Sequence, residues 1–309
     1  MKILIELPTW IGDTVMSSPA IENILNFYNS EEVQIIGPAN SIDLIKNNPK
    51  IHKSDILKKN YFSLFKISKN LGSFDVFFSF RSSFRSKVLK LFISSKKKYQ
   101  FDSKENINFH QVEKYNQFVN RSLGINFIAG ELNIFEEKEK IKKDSYPILG
   151  INPGASYGNA KRWYPEEFAK VCEELSKNYK IIIFGGKKEK DIANDIEKIL
   201  IMKGITNYQN LAGKTSLVEL VNRIANLDLF ITGDSGPMHI AANFKIPSIT
   251  IFGPTKDTET AQWMNQKSIV IKKNLDCQPC MRRICPLGHH NCMKLIKAKD
   301  ILSAIEAID

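Results

Sequence analysis

Apolar positions along this chain fall into short blocks that alternate between two periods. Residues 2–7 (KILIEL), 33–37 (VQIIG) and 74–80 (FDVFFSF) are brief apolar runs rich in β-branched and aromatic residues. They predict strands buried on both faces. Segments 15–28 and 83–93 carry apolar residues at helical spacing. The rhythm restarts later, with predicted strands at 148–154 (ILGINPG), 180–186 (KIIIFGG), 227–236 (LDLFITGDSG) and 247–254 (PSITIFGP), each running into a glycine-containing turn. Helices are predicted over 166–178, 187–203, 216–225 (introduced by Thr215) and 238–244. Alternating strand and helix predicts parallel sheets covered by helices. Segment 136–145 (EEKEKIKKDS) is almost entirely charged and has little apolar surface to bury, which makes it the candidate linker. The expected architecture is therefore α/β with two domains, 1–140 and 141–309. Ligands of open α/β sheets bind at the carboxyl ends of the strands. Two such domains facing each other are expected to form a cleft, with a donor on one wall and an acceptor on the other.

Composition and charge narrow this picture. The 309 residues are 43% hydrophobic and 25% charged, an ordinary globular balance at a length that suits two domains. No stretch approaches the roughly 18 uninterrupted apolar residues of a membrane span. The first seven residues are apolar but include Glu6, and Pro8 follows; without a basic flank or a cleavage site they read as a strand and not a signal peptide. The expected compartment is the cytoplasm. The formal charge of +11 suits an anionic partner: nucleic acid, phospholipid or a phosphorylated substrate. Solvated surface lysines in a Lys-, Asn- and Ile-rich chain are the plainer explanation for much of it. The excess is concentrated at 81–98, where Arg81, Arg85, Lys87, Lys90, Lys96, Lys97 and Lys98 occur without an acidic residue, interleaved with Val88, Leu89, Leu91, Phe92 and Ile93. An amphipathic helix explains the apolar residues; a sustained single sign suits an anionic surface or acceptor.

Three loops carry candidate chemistry. In the first, 8–13, Gly12 permits a tight turn and Asp13 sits where strand gives way to helix. Asp13 can cap that helix or act as a general base. No G-x-G-x-x-G is present, so the dinucleotide fingerprint is absent. The second, 152–163 (NPGASYGNAKRW), combines glycines and small polar side chains with Lys161 and Arg162, just before a helix opened by Pro165. Small residues let backbone N–H groups approach phosphate oxygens, and a lysine adds a point charge, although Walker spacing is not met. The third, 232–239 (TGDSGPMH), places Asp234, Ser235 and Gly236 where amides at a helix N-terminus can hold an anion. His239 lies on that helix and reads equally as a packed core histidine. Cys277, Cys280, Cys285 and Cys292, with His289 and His290 between, have spacing compatible with zinc or with a reduced, packed group.

Taken in order, Trp10-Ile-Gly-Asp-Thr14, Pro153-Gly-Ala155, Ala160-Lys-Arg-Trp163, Gly233-Asp-Ser-Gly-Pro-Met-His239 and Cys285-Pro-Leu-Gly-His-His290 resemble the ADP-heptose:lipopolysaccharide heptosyltransferases of glycosyltransferase family 9, most of all their heptosyltransferase II members. The resemblance implies a GT-B fold of two Rossmann-like domains, with the acceptor on the first and the nucleotide sugar mainly on the second. It implies inverting transfer of heptose from ADP-heptose to a heptose of the lipopolysaccharide inner core. Asp13 matches the proposed base and Lys161 the lysine at the donor diphosphate, so these two are the expected catalytic residues. The implied donor set is Ser156, Tyr157, Lys161, Glu189 at the ribose, Thr215 beside adenine, then Asp234, Ser235, Gly236 and His239. Thr9, Trp10, Arg81 and Arg85 are expected at the acceptor. The resemblance favours packed, reduced cysteines over zinc. It also implies that the last helix, near 299–308, crosses back onto the first domain.

The expected partners are an ADP-sugar and an anionic, lipid-linked core acceptor, with peripheral contact on the inner face of the cytoplasmic membrane and no nucleic acid. No cofactor is expected. The chain has no Asp-x-Asp pair to hold a metal-chelated diphosphate. Two alternatives remain at this level: a GT-B enzyme using another nucleotide sugar, and a non-catalytic module that binds nucleotide or nucleic acid through its basic surface.

Overall fold

The computed structural model describes residues 1–30, 32–58, 60–105, 108–134 and 146–308. It divides into two compact units, Met1–Glu136 and Glu137–Asp309. The charged segment 136–145 lies outside the described residues.

The first unit is a parallel sheet of β1 (Lys2–Glu6), β2 (Glu32–Gly37), β3 (Lys53–Ile56), β4 (Ser73–Ser79) and β5 (Ser94–Gln100), ordered β3-β2-β1-β4-β5. Its helices are α1 (Ile11–Tyr28), α2 (Ala39–Ile45), α3 (Tyr61–Leu71), α4 (Phe84–Phe92) and α5 (Gln111–Leu123). Central β1 buries Ile3, Leu4 and Ile5 completely, as a parallel strand covered on both faces must. Leu64 of α3, Leu89 of α4 and Ile93 share a core with Leu4, Ile36 and Phe77. Helices α1 and α5 pack on each other, and Phe78, Phe80 and Phe101 meet Phe118 of α5 edge to face. The basic run divides between elements. Arg85, Lys87 and Lys90 belong to α4, whereas Lys96, Lys97 and Lys98 lie on β5, at the edge of the sheet. Lysines on an edge strand discourage pairing with another chain. Lys96 also holds Asp75 at 2.7 Å, and Lys98 Nζ donates to the Lys90 carbonyl at 3.0 Å.

The second unit contains β6 (Ile148–Asn152), β7 (Lys180–Ile183), β8 (Tyr208–Asn210), β9 (Leu229–Gly233), β10 (Ser248–Ile251) and β11 (Ser268–Ile271), all parallel. Their order is β8-β7-β6-β9-β10-β11. The helices are α6 (Pro165–Leu175), α7 (Lys190–Met202), α8 (Leu217–Ala225), α9 (Gly236–Asn243), α10 (Asp257–Thr260), α11 (Asn291–Lys294) and α12 (Ala298–Ile305). Pro165 starts α6 at the one turn where its missing N–H costs nothing. Helix α8 is capped by Ser216, whose Oγ accepts the Glu219 N–H at 3.2 Å; Thr215 lies one residue outside, correcting the expected start. Helix α12 packs on α6, β10 and β11, and Ile301 and Ala304 are buried in this unit's core.

Both sheets are doubly wound, as expected of two Rossmann-like domains of the GT-B class. Each reverses its strand order once, between β1 and β4 in the first unit and between β6 and β9 in the second. Those switch points are where such folds bind ligands.

Candidate active site

At the first switch point β1 leads through 7–10 into α1. The turn is braced: Thr14 Oγ1 donates to the Trp10 carbonyl at 3.0 Å, and Ser41 Oγ donates to the Pro8 carbonyl at 2.7 Å. Thr9 and Trp10 are exposed on this turn. Asp13 is not the helix cap. The N-cap is Trp10, without a side-chain bond, and Asp13 is the third residue of α1, where a negative charge suits the helix N-terminus. Its Oδ1 accepts a hydrogen bond at 3.1 Å from the hydroxyl of Tyr115 on α5. Burial, and then the neighbouring Asp13 charge, hold the Tyr115 phenol well above its usual range. Tyr115 is therefore a donor that steadies the carboxylate, not a competing base.

Glu6 stands out in the sequence only as a charge within the apolar N-terminal run. It is completely buried at the end of β1 and organises the neighbouring loop. Ser79 Oγ donates to Glu6 Oε2 at 2.7 Å, Ser86 Oγ also donates to that oxygen, and Arg81 reaches Oε1 at 3.3 Å. Burial raises the Glu6 pKa, against the lowering effect of the Ser86 hydrogen bond and the Arg81 charge. Arg81, expected at the acceptor, has this inward tie, and Arg85 donates to the Lys58 carbonyl. Arg81 lies two residues beyond the carboxyl end of β4, the neighbour of β1 in the sheet, and Arg85 lies in the first turn of α4.

At the second switch point the loop after β6 meets the loop after β9. Lys161 Nζ lies 2.5 Å from Asp234 Oδ2, with both side chains largely buried. Thr255, from the turn after β10, donates to the same carboxylate oxygen at 2.7 Å. Asn152 Nδ2 donates to Ser235 Oγ at 3.3 Å. The ammonium of Lys161 is thus fixed near the start of α9, where Gly236 offers its N–H, Pro237 has none, and the Met238 N–H donates to the Ser235 carbonyl at 3.1 Å. A fixed cation next to a helix N-terminus is an anion site of the kind a diphosphate requires. Asp234, expected next to the donor sugar, is bound to Lys161 and Thr255 and sets the lysine's position.

Glu189 sits at the carboxyl end of β7 in a short 3-10 turn, 7% exposed. Its Oε2 accepts the Gly186 N–H at 2.7 Å and its Oε1 accepts Ser156 Oγ at 3.4 Å. Gly154 leaves room for this carboxylate, since a Cβ there would come within 2.3 Å of Glu189 Cδ and the braced side chain would have to shift. Tyr157 donates to the Met281 carbonyl at 2.8 Å, and its ring lies 4.7 Å beneath Lys161 Nζ. Thr215 is half-buried just before α8. His239 is 3% exposed on α9, inside the fold, as a packed core histidine would be. The site therefore joins Ser156 to Glu189 and Lys161 to Asp234; it gives Asn152, the first residue of the 152–163 loop, a bond to Ser235, and it adds Thr255, which carried no motif of its own.

All five cysteines are free thiols. Cys277, Cys280, Cys285 and Cys292 line one small cavity of about 20 Å³. Burial, with the three neighbouring thiols, pushes Cys292 up to about 11, while backbone N–H bonds, first that of His290, lower Cys285. Among the described residues no group of three or more His, Cys, Asp or Glu side chains is set to hold a metal ion.

Residues 65–291 match Glycosyltransferase family 9 (heptosyltransferase). The chain is 41% identical, over 100% of its length and 99% of the relative's, to lipooligosaccharide heptosyltransferase 2 of Campylobacter jejuni serotype O:6. It is 42% identical to the protein of that name from serotype O:2, over 98% of this chain and 96% of the other. Among solved structures, the Escherichia coli ADP-heptose lipopolysaccharide heptosyltransferase II superposes with a TM-score of 0.79 at 23% identity, covering 100% of this chain and 98% of that one, which establishes the shared fold. The two switch-point sites and the full-length similarity lead to one conclusion: the chain belongs to glycosyltransferase family 9, the heptosyltransferases.

Proposed function

We propose that the protein transfers a heptose from ADP-heptose onto a heptose of the lipopolysaccharide or lipooligosaccharide inner core, as a heptosyltransferase II. The observation that carries this reading is full-length similarity at 41% identity to proteins named for that reaction, combined with the anchored Lys161 at the second switch point. In the reaction the acceptor hydroxyl oxygen bonds to the anomeric carbon from the face opposite the nucleotide. The bond from that carbon to the diphosphate breaks, and ADP leaves with the electron pair. Asp13 receives the hydroxyl proton, oriented by Tyr115. Lys161 and the Gly236 amide at the start of α9 stabilise the charge growing on ADP. Glu189 and Ser156 face the ribose, and Thr215 lies beside adenine. Thr9, Trp10, Arg81 and Arg85 serve the acceptor side. This scheme gives the diphosphate its counter-charge without a metal ion.

The acceptor is lipid-linked, and the proposed place of work is the inner face of the cytoplasmic membrane. No helix of the described residues is long and apolar enough to cross a membrane, so the contact in this reading is peripheral. A thermal-shift panel of ADP, UDP and GDP tests the donor assignment. A ligand that binds only the folded state at a hundredfold excess over Kd stabilises it by about 2.7 kcal/mol. ADP is expected to raise Tm, and a shift with UDP or GDP alone would refute the assignment.

A further inference from the structure

The outer face of α3 and α4 is not explained by transfer chemistry. The inner faces of these helices bury Leu64 and Leu89 in the core of the first unit. Their outer faces expose large apolar side chains: Phe84 is 74% exposed, Leu91 78%, Phe92 44% and Phe65 43%. These form one patch. Phe84 and Leu91 are two turns apart on α4, and the Phe65 and Phe92 rings meet with centroids 5.7 Å apart. Basic groups border it. Lys69 Nζ lies 4.5 Å over the Phe65 ring, and Lys87 sits on α4 between Phe84 and Leu91. Neither 61–71 nor 81–98 contains an acidic residue. Aromatic and leucine side chains bordered by lysines, with no acidic residue on either helix, match the chemistry of a bilayer interface carrying anionic headgroups. A nucleic acid would be served by the lysines alone and would leave Phe84 and Leu91 in water.

We infer that the α3–α4 face is the membrane-docking surface of this protein and that its partner is an anionic phospholipid bilayer. The inference rests on the reading of the acceptor as lipid-linked, since docking would bring the enzyme to the surface that presents it. Phe84 and Leu91 enter the acyl–headgroup boundary, while Lys69 and Lys87 bind lipid phosphates.

Co-sedimentation of the full-length protein with phosphatidylcholine vesicles, with and without phosphatidylglycerol, tests this without donor or acceptor. Binding is expected only with phosphatidylglycerol and is expected to weaken at high salt. Phe84→Ser with Leu91→Ser should lower the partition coefficient roughly tenfold or more. Lys69→Gln with Lys87→Gln should do likewise, at about fivefold per lysine. All four positions are outside the proposed transfer machinery, so ADP affinity and turnover of a detergent-solubilised acceptor should be unchanged. Vesicle binding that these variants leave intact, equal binding to pure phosphatidylcholine, or no binding to either vesicle would overturn the inference. So would a loss confined to self-association. Failure of turnover with the solubilised acceptor in the unsubstituted protein would instead count against the proposed reaction.

Discussion

At the residue scale, the chemistry depends on side chains whose positions are set by neighbours the sequence could not reveal. Asp13 is a candidate from its place in the chain alone, but its partner Tyr115 is 102 positions away, and only the packing of α1 against α5 brings the two together. Asp13→Asn keeps the shape and removes the charge. It should lower kcat by the roughly 10²–10⁴-fold expected on losing a general base, with ADP affinity nearly intact. Near-normal kcat in this variant would remove Asp13 from the mechanism. Tyr115→Phe deletes a single hydrogen bond to a charged group, an interaction of about 1.5–3 kcal/mol. It should reduce kcat by about tenfold and leave the donor KM unchanged; an equal fall in donor affinity would mean that Tyr115 holds the fold and not the carboxylate. Glu6 gives a pH test. Its folded-state pKa is raised, so in the window above the ordinary glutamate value the folded protein binds more protons than the unfolded chain. Its contribution therefore makes stability fall as pH rises through that window, and Glu6→Gln should flatten this slope. Urea unfolding across mildly acidic pH measures it, and an unchanged slope would show that the buried carboxylate is fully compensated by Ser79, Ser86 and Arg81.

At the element scale, long apolar strands and amphipathic helices were legible because burial on both faces leaves an unmistakable run of Val, Ile, Leu and Phe. Short or polar elements were not. Strand β8 is Tyr-Gln-Asn and β5 is Ser-Ser-Lys-Lys-Lys-Tyr-Gln, edge strands whose membership in a sheet depends on the neighbour they pair with. The glycines mark the loop after β6 in the sequence, but the partners that give it rigidity come from beyond the ends of β7, β9 and β10. Gly154→Ala would press a Cβ onto Glu189 and should cost about 1–3 kcal/mol, with a lower Tm and weaker ADP binding. An unaltered melt would show that the Glu189 brace can move freely. Lys161→Ala removes the cation at the switch point and leaves Asp234 buried without it. The Tm without nucleotide should fall, and ADP affinity should drop roughly tenfold or more, read by calorimetry below the melting range. Full ADP affinity in that variant would place the diphosphate elsewhere.

At the scale of the whole molecule, two doubly wound sheets were legible from the strand–helix rhythm, and the ordered motifs pointed to the family that the full-length comparison established. Less legible were the ties that each unit makes within itself. Ile301 and Ala304 of the final helix complete the core of the second unit, a tie that helical spacing alone does not assign. The sequence also presented 81–98 as one basic run, whereas the fold divides it between a helix with an exposed apolar face and a protected sheet edge. Neither distinction is contained in charge or periodicity, because both depend on which face a neighbour covers. The central claim is heptose transfer from an ADP-linked donor. The most direct test is to incubate the purified protein, in chelator and without added metal, with ADP-heptose and a core acceptor that already ends in heptose, and to follow acceptor mass and released ADP together. The account predicts an acceptor heavier by one heptose and one ADP released per transfer. An acceptor left unchanged with ADP-heptose but extended with a UDP- or GDP-sugar would contradict it.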